Sequence, residues 1–149
     1  MSGAVAFTLS RGADMGAALD VVNRFYDSFA VGDLDAADKL FADDCRFVMP
    51  PGTLTKAEHR RMAEAFIAAL PDAHMVIDHV VDGGDEVFVE GRFVGTHKGD
   101  LQSPDGTVAA SGNKLDLRFA DYFRVIGDRV TDHRTYWDQV DMMRQLGAM

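Results

Sequence analysis

The sequence contains a single cysteine, Cys45, among 149 residues. An internal disulfide is excluded, and one thiol fits a reducing compartment, so a cytoplasmic address is expected. Basic residues are also scarce: 15 Lys and Arg stand against 24 Asp and Glu, a formal charge of -9 that no Lys/Arg cluster offsets locally. A nucleic-acid backbone or an anionic membrane surface would be repelled, and neither is expected as a partner. Long apolar runs are missing too. Nowhere do the roughly eighteen consecutive apolar residues of a spanning helix occur, and the start, MSGAVAFTLSRG, has no basic stretch before a short apolar one. Residues 1–14 read as a loose arm and 15–149 as one domain. What is present is 47% hydrophobic residues, enough at this length to build one core.

The first half of that domain repeats with a helical period. Ala18, Val22, Phe25 and Phe29 fall at steps of four, three and four, which predicts one face of a helix ended by Gly32. Asp33 can cap a second, short helix running through Phe41, with Leu34, Ala37, Leu40 and Phe41 inward and Asp43-Asp44 at its exit. A brief extended piece, Arg46 to Met49, then meets Pro50-Pro51-Gly52, which breaks regular structure because neither proline donates a backbone hydrogen bond. Thr55-Lys-Ala-Glu58 is a capping box for a third helix with Met62, Ala65, Phe66 and Ala69 as its stripe, closed by Pro71.

From His74 the period drops to two, the mark of half-buried strands. Met75 to Val81 turns at Asp82-Gly83-Gly84-Asp85 into Val87 to His97, a hairpin. Lys98 to Gly112 reads as a long loop. Leu115 to Val125 turns at Gly127-Asp128 into Val130 to Asp138. Helices segregated from a meander predict an α+β domain. Within Leu115 to Val125, the apolar set is Leu115, Leu117, Phe119, Phe123 and Val125, and Asp121 falls in phase with it. A carboxylate facing an apolar interior loses hydration, and its pKa rises unless donors compensate. A structural Asp held by donors, or a bulge that turns it outward, would account for the position as well as a functional one. In the last strand, phase puts His133, Thr135 and the only tryptophan, Trp137, inward, with Asp132, Arg134, Tyr136 and Asp138 outward. A bulge at the strand end could return Asp138 to the inner side. His97 lies in phase with Val87, Val89, Phe93 and Gly95, where an imidazole can trade protons near neutral pH or, the more frequent state, stand at the rim bonded to a loop carbonyl.

Gly32-Asp33-Leu34-Asp35 with Leu40-Phe41-Ala42-Asp43-Asp44, then Gly95-Thr96-His97-Lys98-Gly99 and Arg144-Gln145-Leu146-Gly147, resemble the SnoaL-like polyketide cyclases over roughly Gly16 to Gly147. That family belongs to the nuclear transport factor 2-like superfamily, with the ketosteroid isomerases, scytalone dehydratase and limonene epoxide hydrolase. The resemblance implies a cone: a curved antiparallel sheet wrapped on three N-terminal helices, enclosing a mostly apolar cavity, in a chain that forms a homodimer. Fold alone does not fix the chemistry.

Residue by residue, the resemblance implies a rearranged site. The general acid/base Asp on the last strand of the cyclases matches Thr135, whose hydroxyl has no acid or base strength near neutral pH. The epoxide hydrolase Asp matches Thr135 as well. The pocket His of the cyclases matches Asp121, as does the protonated Asp of the isomerase oxyanion hole. The isomerase Tyr donor matches Phe25 and its Asp base matches Met49, so isomerisation by that route is not expected. Trp137 matches the pocket Trp of some isomerases. The expected catalytic residues are Asp121 with His97. Phe25, Met49, Phe93, Phe119, Phe123, His133, Thr135, Trp137 and Asp138 are expected around a small hydrophobic molecule. His97, His133 and Asp121 lack the local spacing of a metal motif, and neither metal nor other cofactor is expected. The reaction expected is acid/base cyclisation, isomerisation or dehydration of a small apolar carbonyl or polyketide-like compound. The alternative is a module that holds a hydrophobic metabolite in the same cavity without turnover.

Overall fold

Ala18, Val21, Val22 and Phe25 are all buried along one side of α1 (Ala17–Ala30), the first element of a computed structural model that describes residues 16–149. The expected arm, 1–14, lies outside the described residues. Asp33 caps α2 (Leu34–Asp38) by accepting from the Ala36 amide at 3.0 Å, as its position predicted. The helix is shorter than expected, because the chain is already extended at Phe41. That residue begins β1 (Phe41–Met49), where Asp43 and Asp44 lie side by side in solvent instead of marking a helix exit. The ladder of β1 shifts register between Phe41 and Arg46, and this irregularity hides the period-two signal from the sequence. Pro50-Pro51 then forms a tight return to β2 (Gly52–Leu54), with Met49 facing Gly52 across the pair.

The capping box is present at α3 (Lys56–Ala69): Thr55 accepts from the Glu58 amide and Glu58 accepts from the Thr55 amide. The meander follows as β3 (His74–Asp82) and β4 (Glu86–Thr96). The expected long loop contains a small hairpin, β5 (Leu101–Ser103) and β6 (Gly106–Val108), which forms a separate two-stranded sheet. β7 (Lys114–Ile126) and β8 (Arg129–Trp137) complete the main sheet. A further helix, α4 (Gln139–Gln145), was not expected. It is only seven residues long, and its buried side is little more than Met142, with Leu146 at its C-cap, too sparse a pattern to signal a helix.

The main sheet runs β2-β1-β8-β7-β4-β3. Every pairing is antiparallel except that of β1 with β8, which is parallel, so the sheet is mixed where an antiparallel one was expected. The physical reason is the connection: a parallel pair needs a long crossover, and here α3 and the whole meander supply it. The architecture is α+β, a curved mixed sheet with α1 and α3 packed on one face. Alternation along β7 buries Leu115, Leu117, Phe119, Asp121, Phe123 and Val125 on that face, while Tyr122 is buried on the other. Gly91 on β4 lets Phe119 approach, since a β-carbon there would lie 3.0 Å from its ring and 2.4 Å from the Val76 carbonyl oxygen.

Candidate active site

Between the inner face of the sheet and the two long helices lies a cavity of about 100 Å³. Phe93 of β4, Phe119 of β7 and Trp137 of β8, with Phe25 and Phe29 of α1 and Phe66 of α3, bring six aromatic rings to its lining. Three methionines, Met49, Met62 and Met75, fill gaps among them, and unbranched thioethers are the side chains that most readily change rotamer to suit a guest. Against this apolar background stand Asp121, Thr135, His133 and His59.

Asp121 is 4% exposed and pairs across the β7–β8 ladder with Thr135. The Tyr26 hydroxyl, reaching down from α1, donates to Asp121 Oδ2 at 2.5 Å. Burial pushes the carboxyl above the usual range; His133 and the Thr135 and Tyr26 hydroxyls pull it down without cancelling the rise. The same contact acts on Tyr26: burial first, then the neighbouring carboxyl, hold its phenol well above its ordinary value. Tyr26 is therefore a donor at neutral pH.

His133 is buried to 3% exposure, stacked on Phe123 at 4.4 Å between ring centres. Its Nδ1 lies 3.2 Å from the Tyr122 carbonyl oxygen, which can only accept. Nδ1 thus carries the hydrogen, and the neutral ring keeps a lone pair on Nε2. Burial lowers its pKa, with Asp121 and the Tyr122 carbonyl acting in the opposite sense. His59 comes from the first turn of α3, stacks on Phe47 at 4.0 Å, and stands edge-on to His133 at 6.0 Å. Burial, then His133, push its pKa down to about 3, so this second imidazole is also neutral.

The structure brings most of the expected residues to the cavity: Asp121, Phe25, Met49, Phe93, Phe119, His133, Thr135 and Trp137 all line it. Three do not. Phe123 is fully buried behind His133 and forms its backing. Asp138 is exposed and turned away, because its carboxylate caps α4 by accepting from the Asp141 amide at 3.0 Å. His97 faces the inner side as its phase predicted, but the C-terminal end of α3 covers that end of the sheet. The Lys98 and Gly99 amides both bond to the Ala69 carbonyl, and His97 is sealed beneath with Nδ1 against Ser111 Oγ at 3.0 Å.

Two polar residues escaped the sequence reading. Tyr26 is one position off the apolar stripe of α1 and carries no signal of its own. His59 does carry one: it precedes Met62, Ala63 and Phe66 by three, four and seven residues, so extending the α3 stripe one turn toward its start would have placed it on the cavity face. Among the described residues, no three His, Cys, Asp or Glu side chains are grouped to hold a metal ion.

A curved mixed sheet with helices packed on one face is the ketosteroid isomerase-like fold. The sequence profile of the SnoaL-like polyketide cyclase family matches residues 20–146, and the chain belongs to that family. No functionally curated protein matches it. Among solved structures, it is similar to a proposed SnoaL-like polyketide cyclase from Jannaschia sp. CCS1, with 19% identity over 94% of this chain and 98% of that one and a TM-score of 0.81. IdmH, a proposed polyketide cyclase from Streptomyces antibioticus, is 24% identical over 87% of this chain and 98% of its own, with a TM-score of 0.72. A protein of ketosteroid isomerase-like fold from Catenulispora acidiphila DSM 44928, crystallised with trimethylamine, is 20% identical over 87% of this chain and 94% of its own, with a TM-score of 0.69. At these identities the likeness is one of fold.

Proposed function

We propose that the protein is an acid/base enzyme that cyclises, isomerises or dehydrates a small, largely apolar carbonyl or polyketide-like compound, with Asp121 as proton donor. Family membership supports small-molecule cyclase or isomerase chemistry. The observation that carries the assignment is the Asp121 carboxyl, buried against an apolar cavity and hydrogen-bonded by Tyr26 on one oxygen. A carboxyl whose pKa is raised stays protonated toward neutral pH and can donate to a ligand oxygen, while burial among aromatic rings keeps water from competing. Titration of Asp121 by carboxyl-carbon NMR tests this. The reading expects a midpoint clearly above the ordinary value of about 3.9; a midpoint at or below it removes the donor and the proposal with it.

Thr135 favours a second reading. It occupies the last-strand position that an acid/base Asp would fill in a cyclase, and a hydroxyl cannot replace that group. In this reading the cavity holds a hydrophobic metabolite without turnover. The chain is further proposed to act as a cytoplasmic homodimer through the outer face of the sheet. Phe88 and Tyr136 are 52% and 54% exposed there, and Arg134 lies over the Tyr122 ring at 5.1 Å. Sedimentation at micromolar concentration that gives the monomer mass overturns the dimer.

A further inference from the structure

Asp121 and His133 can both exchange protons with a bound molecule, and they stand on adjacent strands of one face. Asp121 pairs with Thr135, and His133 is the preceding inward residue along β8, one diagonal step away. Each is held from behind. Tyr26 occupies Oδ2 of Asp121, leaving Oδ1 for the cavity. The Tyr122 carbonyl occupies Nδ1 of His133, so the lone pair sits on Nε2, which has no hydrogen-bond partner among the described residues and is not a sealed atom as Nε2 of His97 is. The other titratable group facing His133 is His59, from α3, edge-on and neutral.

We infer that the cavity takes enolisable carbonyl compounds of one or two rings, and that Nε2 of His133 receives the proton from the carbon beside the carbonyl while Asp121 gives its own to the carbonyl oxygen. This rests on the Asp121 donor proposed above and adds the base and the substrate class. The C–H electron pair becomes the new carbon–carbon π bond, the carbonyl π pair moves to oxygen, and that oxygen takes the Asp121 proton. The products are an enol, an Asp121 carboxylate and a His133 imidazolium, two opposite charges made side by side from two neutral groups. Return of the imidazolium proton to a carbon of the enol, with the enol proton returning to Asp121, gives an isomer or the starting ketone and restores both residues. No oxidant, reductant or cofactor enters the balance.

The shape agrees with the chemistry. An apolar cavity of about 150 Å³ accepts a benzene-sized ring. The cavity of about 100 Å³ here is smaller than that, so it is movement of the three methionines that makes room for one ring or two. Thr135, directly opposite Asp121, adds a hydroxyl beside the donor.

The test is α-hydrogen exchange of cyclohexanone and 2-tetralone into D2O, followed by proton NMR near neutral pD, with ketone binding read from the fluorescence of Trp137. The wild-type protein should accelerate exchange. His133→Ala should lower the rate by about 10²–10⁴-fold, the usual share of a general base, with little change in ketone affinity, and free imidazole should restore part of it. Ser111→Ala, remote from the cavity, should leave the rate unchanged. If His133→Ala fails to fold, His133→Phe removes the base while keeping a ring on Phe123. Exchange that survives loss of His133 but not Asp121→Asn overturns the base and leaves the donor standing. Binding without exchange in the wild type, or no binding of either ketone, overturns the enolisation inference, and the Asp121 titration then decides the donor independently.

Discussion

His97 and His133 are buried alike, 0% and 3% exposed, and each holds Nδ1 in a hydrogen bond, yet only one of them borders the cavity. The difference begins with what stands behind Nδ1. Behind His133 is a carbonyl, so Nδ1 bears the hydrogen and Nε2 presents a lone pair. Behind His97 is the Ser111 amide, which donates to Nδ1 at 3.3 Å, so in the neutral ring the hydrogen sits on Nε2. That Nε2 is sealed without a partner under the end of α3. One backbone group thus orients a base into a void, and another fixes a structural ring at the root of the 98–112 segment. Burial of a titratable side chain does not by itself mark a site; the marks are a void in front of it and a partner behind it.

The largest effect that separates the two regions is on proton transfer. Asp121→Asn keeps the shape and removes the proton, and should lower ketone exchange by about 10²–10⁴-fold with the fold intact, whereas His97→Asn should leave exchange within a few-fold of wild type. Equal losses from both changes, measured by the same NMR assay, would erase the distinction.

Acid stability gives the next contrast. A His59 pKa of about 3 in the folded protein, against about 6.5 when unfolded, means that the unfolded chain binds this proton first. Stability is therefore full above about pH 6.5 and falls as pH drops toward 3, by on the order of 4 kcal/mol for a shift of that size. Urea unfolding at pH 7, 5 and 4 should show this loss, and His59→Phe should flatten it. Asp121 has the opposite sign: its raised pKa means stability that is present at low pH declines as pH rises from about 3.9 through the folded value, so Asp121→Asn should gain on wild type toward neutral pH.

Smaller effects follow at the partners. Ser111→Ala removes the hydroxyl that contacts His97 and accepts from the Asn113 amide, and should cost about 1 kcal/mol in the same unfolding experiment without touching exchange. Tyr26→Phe removes a donor that lowers the Asp121 pKa, so the carboxyl-carbon midpoint should move further up. A downward shift would show that Tyr26 does not donate to the ionised form.

The helices and the meander were legible because their apolar residues repeat at 3.6 or 2, and Asp121 stood out as the one charged residue in phase with a buried face. What the period could not carry were exceptions to it. β1 was hidden by its register shift and two exposed aspartates, α4 by its length, and the β5–β6 hairpin by having only Leu101 buried. His97 was placed on the correct face but in the wrong compartment, since alternation tells which side of a sheet a residue takes and nothing about what covers that side. Asp138 reads as a polar group near the cavity, yet its position three residues before Asp141 is that of a helix cap. Tyr26 shows the limit most plainly. Its importance comes from a contact with a residue 95 positions away, and no local pattern encodes that.

The parallel seam between β1 and β8 also governs the order in which the molecule can be assembled. Phe47 aligns with His133 across it, so the strand that carries Cys45, Phe47 and Met49 cannot find its neighbour until nearly the whole chain has emerged. Pairings so distant in sequence form late, because the entropy of closing the loop is lost before the contact is gained. The hairpins β3–β4 and β7–β8 can form locally, whereas the cavity that needs Met49 on one side and Trp137 on the other exists only once that seam closes. Until then Phe41 has no sheet neighbour, and Phe47 has only Leu54 of the short β2 beside it. Refolding followed at once by Trp137 fluorescence and by ketone binding should show the binding signal arriving with the slowest phase.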